Sequence, residues 1–434
     1  MKKQVDAIII GAGIMGCAIA FELAKRGYKT LNVDKLPTAG YGSTSNSCAI
    51  IRVHYSTFDG VAIAWENVFY WEDWENYIGV EDESGLARFI QCGSVVLNQT
   101  PTSHEKWTKI FDQLTIPYEL WSNEQLLEKF PIYDLHTFHP PKAIEDETFW
   151  DETTEILHGA MVTPTMGYIN DPQLASHNLM RAAEAHGAHF LFEQEVIAVR
   201  QGNGRVAGIT LKSGQEIDAP VVVNVAGPHS YIINQMAGVE TGMNIKTKPL
   251  RHEVHHVPSP PSFDFEKDGT EMSDPAGIYY RPEVGRSILL GSEDPVCDPR
   301  EWVDDPDNFN RSVTQVQWQR QVYRLAQRIP DLQIPNEPKG VVDLYDVTDD
   351  WIPIYDKSDL SGFYMAIGTS GNQFKNAGGV GHMMAELIVA CENGHDHDND
   401  PVQVKMPYTG LELNAGFYSR LRTINENSSF SVLG

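Results

Sequence analysis

Val5-Asp-Ala-Ile-Ile-Ile-Gly11-Ala-Gly13-Ile-Met-Gly16 stands near the start of the chain, and Leu31-Asn-Val33-Asp34 follows one helix later. Ile8 to Ile10 form a short apolar run suited to a buried parallel strand. Gly11 makes the tight turn, Gly13 lets backbone approach a pyrophosphate, and Gly16 lets the helix pack on the strand. The helix start offers N–H groups and a positive dipole end to phosphate. Asp34 ends the second strand about twenty residues on, where a carboxylate accepts from both ribose hydroxyls. Strand, three glycines, helix, strand and terminal acid, in that order, predict a dinucleotide site. A glycine-rich turn in an unrelated α/β protein would not need Asp34.

Working outward, 434 residues with 41% hydrophobic side chains provide for two domains or one large discontinuous pair. Lys plus Arg number 33 against 59 Asp plus Glu, a formal charge of −26. Such a surface repels phosphate backbones and anionic lipid, so neither nucleic acid nor membrane is an expected partner. An anionic substrate then needs a local basic pocket. The five cysteines (Cys17, Cys48, Cys92, Cys297, Cys391) are scattered and never form a CxxC pair. That points to a reducing compartment and away from disulfides or zinc. No secretory signal precedes the first strand and no apolar run approaches spanning length, so a soluble cytoplasmic protein is expected. His395 and His397 lie in a polar turn without a further ligand of suitable spacing, and no metal is expected.

Val61, Trp65, Val68, Trp71, Trp74 and Ile78 recur at helical spacing and predict a helix over 61–78, with the tryptophans in packing roles. Residues 92–159 change character, to prolines, short alternating strands such as Gly93–Leu97 and an amphipathic helix near Asn123–Phe130. The α/β pattern returns with a helix from Pro172 through Ala185 and strands at 189–192, 196–201, 206–211 and 219–225. Strands dominate again from 246 to 340, and a last strand–loop–helix unit runs from Gly362 to about Cys391. The interleaving predicts an α/β nucleotide domain built from 1–91, 160–245 and 340–434. A mostly antiparallel β substrate domain, 92–159 and 246–339, is inserted into it.

Five stretches carry a family resemblance: the N-terminal glycine motif, Gly42–Arg52, Val222-Val-Asn-Val-Ala-Gly-Pro228, the hairpin from Tyr279-Tyr-Arg-Pro282 to Gly291, and Gly368-Thr-Ser-Gly371 through Lys375. Over nearly its whole length the chain resembles the D-amino-acid-oxidase superfamily of FAD enzymes, most closely its sarcosine oxidase, dimethylglycine dehydrogenase and glycine oxidase branches. The resemblance implies a Rossmann-like FAD domain of the GR2 type. It implies FAD contacts from Gly11, Gly13, Ile14, Met15, Gly16, Asp34, Lys35, Ser43, Thr44, Ser45, Val196, Ala226 and Gly227. It adds Gly371, Asn372, Gln373, Phe374 and Lys375 at the C-terminal loop. A second glycine-rich helix start at Gly378, Gly379 and Gly381 can aim backbone N–H groups and a dipole at a flavin ring.

In monomeric sarcosine oxidases an arginine matching Arg52 pairs with the substrate carboxylate, and a lysine matches Lys375. A guanidinium grips a carboxylate through two parallel hydrogen bonds, and an ammonium adds a point charge. The alternatives for Arg52 are flavin phosphate or a surface ion pair; for Lys375, flavin carbonyls or solvent. Where those oxidases attach flavin through a cysteine this chain has Asp343, and where the related dehydrogenases use a histidine it has Thr44 and Ser45. FAD is therefore expected to be non-covalent. The lysine tied to oxygen activation aligns near Leu289, and the histidine of the same hairpin is replaced by Glu293, which either receives a cationic substrate group or faces solvent. Tyr345 and His54 either line the pocket or pack.

The resemblance implies oxidation of the C–N bond of a small carboxylate-bearing secondary amino acid by hydride transfer to flavin N5, leaving an imine that hydrolyses. Oxidative deamination of a primary amino acid is the alternative, followed by hydroxy-acid oxidation or a non-catalytic flavoprotein subunit. Oxygen or an electron-transfer partner would accept the electrons, and either a monomer or a homo-oligomer is compatible.

Overall fold

Ala7–Ile10, buried at every residue, is the third strand of a six-stranded sheet in the computed structural model, which describes residues 3–151 and 153–434. The sheet runs His189–Leu191, Thr30–Val33, Ala7–Ile10, Val221–Asn224, Phe363–Ile367 and Ile354–Lys357, the first five parallel and the last antiparallel. Its strands read as continuous apolar runs because both faces are covered. Ala7, Ile9, Val221 and Val223 face a layer in which the Ile14–Lys25 helix lies against Pro172–Ala185 and Ala377–Glu392. Ile8, Ile10, Val222 and Met365 face a four-stranded sheet that includes Val196–Gly202 and Arg205–Leu211, together with the Ser230–Ala237 helix. Asp171 caps the Pro172–Ala185 helix, its side chain accepting from the Leu174 N–H at 2.9 Å, with Pro172 in the first turn.

The second layer is a nine-stranded sheet, antiparallel except where Glu271–Asp274 runs parallel to Ser94–Leu97. Its long central strand, Thr247–Pro258, pairs with Ser287–Ser292 and with Gly340–Thr348. Two strands at the expected domain boundaries, Ala160–Thr163 and Gly340–Thr348, hydrogen-bond into this sheet rather than the nucleotide sheet. Alternation decides which side chains reach the cleft. Val257, Met272, Ile278, Tyr280, Ile288 and Leu290 pack against the Gln315–Arg328 helix through Trp318, Val322 and Leu325. Val254, Glu271, Ser273 and Tyr279 point the other way and line a cavity.

Three elements differ from expectation. The helix predicted over 61–78 is two, Phe58–Glu72 and Trp74–Ile78, broken at Asp73. Gln315–Arg328 and Glu105–Leu114 are helices within stretches read as strand-dominated. Both carry apolar residues at helical spacing (Trp318, Val322, Leu325; Trp107, Phe111, Leu114), a signal masked by their polar composition. Among the described residues no helix is long and apolar enough to cross a membrane.

Candidate functional site

One cavity of about 580 Å³ runs along the C-terminal ends of the parallel strands and under the large sheet. At its nucleotide end Gly11 adopts φ +122°, and a Cβ there would collide with the Val225 carbonyl. A Cβ on Gly16 would collide with the Gly11 carbonyl, so that pair sets how closely helix and strand approach. Gly13 is the helix N-cap with no side-chain cap, and the first turn carries no acidic residue. The helix end thus keeps its positive character for a phosphate. Thr44 Oγ1 accepts the Ile14 N–H at 3.2 Å.

Asp34 accepts the Ala12 N–H at 2.7 Å through one oxygen and the Leu36 N–H at 2.8 Å through the other. Each oxygen keeps a lone pair for a ribose hydroxyl. Burial pushes its carboxyl up, against the two backbone N–H groups and Lys35. Lys35 pairs with Asp307 and lies 2.8 Å from His229 Nε2, closing this end beneath the 306–311 segment. Met15, Ser43, Val196, Ala226 and Gly227 also line the wall. The glycine cradle, the open helix end and the locked acid fit a dinucleotide. Ser45 does not line the cavity; its hydroxyl donates to the Tyr41 and Gly42 carbonyls.

At the other end Arg52 and Lys375 converge on one ring. The Arg52 guanidinium carbon lies 5.2 Å, and Lys375 Nζ 5.1 Å, from the Tyr55 ring centroid. Arg52 Nη1 donates to the His54 and Leu433 carbonyls, and Nη2 to the Val432 carbonyl at 2.8 Å. A guanidinium has five N–H donors, so with three given to backbone two remain for a ligand. Lys375 Nζ donates to Asn372 O at 2.7 Å and Tyr55 Oη at 3.0 Å, while Tyr55 Oη donates to Asn372 O at 2.5 Å. Burial, then the Arg52 charge, pushes the Lys375 ammonium well below its usual range, with Glu271 opposing. Trp71 supports this loop as well as packing, its indole N–H donating to the Lys375 carbonyl at 2.7 Å. Gly371, Asn372, Gln373 and Phe374 complete the wall.

The facing wall comes from the large sheet. Tyr345 lines the cavity, its hydroxyl 3.5 Å from that of Tyr279 and its ring stacked on His252 at 4.1 Å between centroids. Glu293 lines it too, accepting the Ser273 hydroxyl at 2.6 Å. Beside it stands Glu271, which accepts the Ser94 hydroxyl. Sequence reasoning missed Glu271; its parity with Ser273 in the Glu271–Asp274 strand was the available signal. Tyr55 and the Val432–Leu433 carbonyls were missed as well. No local pattern announces the latter pair.

His54 lies behind the wall rather than in it. Its ring contacts Trp107 and Phe111, both ring nitrogens are buried without a hydrogen-bond partner among the described residues, and burial with the Arg52 and Lys106 charges lowers its pKa to about 3. Gly378, Gly379 and Gly381 also serve differently from expectation, as close-packing points. A Cβ on each would lie 2.5 Å from Tyr70, 2.5 Å from Asn67 and 2.9 Å from the Ala18 backbone. Asp343, at the flavin-attachment position of sarcosine oxidases, accepts from the Ser43 hydroxyl at 3.1 Å and the Asn46 amide at 2.7 Å. Cys48, the one cysteine on the cavity wall among the described residues, is held as a thiol by burial.

The family profile DAO, described as FAD dependent oxidoreductase, matches residues 6–387. FAD-dependent oxidoreductase domain-containing protein 1 of Mus musculus is 25% identical over 417 residues, covering 89% of this chain and 82% of that protein. Monomeric sarcosine oxidase of Bacillus sp. (strain B-0618) is 25% identical over 413 residues, covering 91% and 95%. L-proline dehydrogenase from P. horikoshii has a similar fold, with TM-score 0.74 and 22% identity over 97% of this chain and 98% of that one.

Proposed function

The chain belongs to the DAO family of FAD-dependent oxidoreductases, and from that premise we propose that it oxidises the C–N bond of a small, carboxylate-bearing secondary amino acid. The observation that carries the proposal is the convergence of Arg52 and Lys375 on Tyr55 in the cavity that also holds the nucleotide cradle. Two relatives named for such chemistry, a sarcosine oxidase and an L-proline dehydrogenase, support the substrate class.

When bound, the flavin supplies a two-electron acceptor for the hydride leaving the carbon next to nitrogen. The chain's own groups do the rest. Arg52 presents its two remaining N–H groups to the substrate carboxylate. That anion also favours the charged form of Lys375, which burial and the Arg52 charge disfavour. Tyr55, held by Asn372, fixes the distance between the two cations. Tyr279 and Tyr345 close the opposite side with apolar ring surface and limit water near the reacting carbon.

Anaerobic mixing of the loaded enzyme with a panel of amino acids tests the reading. Flavin absorbance should bleach with N-methyl and cyclic secondary amino acids and stay unchanged with glycine, D-alanine and 2-hydroxy acids. Bleaching by primary amino acids alone overturns it. Because Asp343, Thr44 and Ser45 occupy the attachment positions, the flavin is expected in the supernatant after acid precipitation. Colour retained in the pellet would contradict non-covalent binding.

A further inference from the structure

Many buried ionised groups elsewhere in this protein are paired, although Glu66 is satisfied by the Tyr408 and Thr409 N–H groups and the Thr409 hydroxyl instead. Arg251 meets Glu253 at 2.7 Å, Arg328 meets Asp274 at 2.7 Å, and Arg420 meets Asp356 at 3.1 Å. The cavity gathers four charged side chains without such a pair. Arg52, Lys375, Glu271 and Glu293 all line it, and none forms an ion pair with another described residue. An unpaired charge in such surroundings is costly, so the arrangement suits a ligand that brings charge of both signs.

We propose that Glu271 and Glu293 form an acidic subsite across the cavity from Arg52, which receives the substrate amine as its ammonium and takes the ammonium proton before the C–H bond breaks. The inference rests on the amino-acid reading above and adds a named acceptor to it. Glu271 is 1% exposed and Glu293 half-buried, its remaining surface being cavity wall. Each has one partner, a serine hydroxyl, which leaves carboxylate oxygen for a cation.

Burial favours a proton on both. Glu271 is raised by burial, with Ser94, Arg52 and Lys375 opposing. Glu293 is pushed up to about 8, by burial first, with Asp274 and Glu271 adding and Ser273 and Arg52 opposing; Lys106 is the other cation in range. Such a group becomes a competent proton acceptor as pH rises through about 8. The step balances. One N–H proton passes from the secondary ammonium to a carboxylate oxygen, leaving a neutral amine and a carboxylic acid. The C–H bond would then break with its electron pair as hydride, for which a bound flavin would supply the acceptor. The nitrogen lone pair forms the C=N bond, and water hydrolyses the iminium. The carboxyl proton returns to solvent with the product.

The test uses the flavin-loaded full chain with Glu271→Gln, Glu293→Gln and the double replacement. Binding is read from the flavin spectrum with two unreactive ligands: trimethylglycine, a fixed cation with a carboxylate, and (methylthio)acetate, a carboxylate without nitrogen. The replacements should weaken trimethylglycine tenfold or more and leave (methylthio)acetate unchanged or tighter. For a secondary amino acid, the anaerobic reduction rate of the wild type should rise with pH through about 8. In Glu293→Gln the rise should move up towards the ammonium's own pKa, and Glu293→Asp should restore it partly. Glu293→Gln conserves size and carries the test even where the double variant fails to load flavin. Unchanged trimethylglycine affinity together with an unchanged pH profile overturns the acidic subsite. A wild-type flavin that no secondary amino acid bleaches overturns the amino-acid reading itself.

Discussion

Arg52 and His54 stand two residues apart in one segment, yet they end in opposite settings. Arg52 lines the cavity with two N–H groups free, and its replacement should be felt in binding. Arg52→Ala is expected to raise KM for the substrate, the loss of a charge-assisted contact of about 1.5–3 kcal/mol lowering kcat/KM roughly ten- to over a hundredfold. Steady-state kinetics check this, and an unchanged KM removes Arg52 from the pocket. His54 is buried neutral, so an unfolded chain binds a proton below pH 6.5 that the folded one refuses until about 3. Its contribution is present above pH 6.5 and lost as pH falls, about 2 kcal/mol at pH 5 relative to pH 8. His54→Phe should remove that loss, seen as a smaller gap between urea midpoints at the two pH values. The resemblance of the Gly42–Arg52 segment to sarcosine oxidases made Arg52 legible. It could not separate His54 from it, because the Glu105–Leu114 helix that covers His54 comes from elsewhere in the chain.

The Ala377–Glu392 helix shows how an element can be read correctly and its purpose misjudged. Its start, its extent and its glycines were legible. The glycines were expected to aim a helix end at the flavin, whereas they let three helices approach closely. Gly381 faces the Ala18 backbone, which cannot swing aside like a side chain. Gly381→Val is expected to cost about 1–3 kcal/mol through overpacking and to lower Tm in the flavin-free protein too. A Tm drop confined to the loaded form would point instead to a role at the ring. The Gln315–Arg328 helix has the converse lesson. It sits behind the large sheet, and its Gln321 joins His255, Glu253 and Arg251 in a buried network. Arg251 in turn holds the Asn310 and Ser312 carbonyls at 2.7 Å each, steadying the segment over the nucleotide end. The composition of that stretch is too polar for its helix to stand out, because a surface helix needs only one apolar stripe.

Across the whole molecule the cavity is assembled from segments distant in sequence: the glycine turn, the Arg52 segment, the large sheet, the Gly371–Lys375 loop and the chain from 420 to 434. Arg420 bonds Asp356 and Asp398, Arg422 bonds Asp350 at 2.8 Å, and beyond them the Val432 and Leu433 carbonyls reach Arg52. Deleting 428–434 takes two of the three backbone partners from Arg52. It is expected to raise KM about tenfold or more while the enzyme keeps its FAD; unchanged KM in the shortened chain would show that the tail does not position Arg52. By itself the sequence determined the nucleotide cradle and most of the element order, since local spacing and strand periodicity are written in adjacent residues, while the two basic residues were legible through the family resemblance. Only the tertiary structure decided that Glu271 and Glu293 share the cavity with Arg52, that His54 lies behind it, and that the tail braces the guanidinium. Those outcomes depend on sheet register and on which distant segment covers a side chain, and no neighbouring residues encode them.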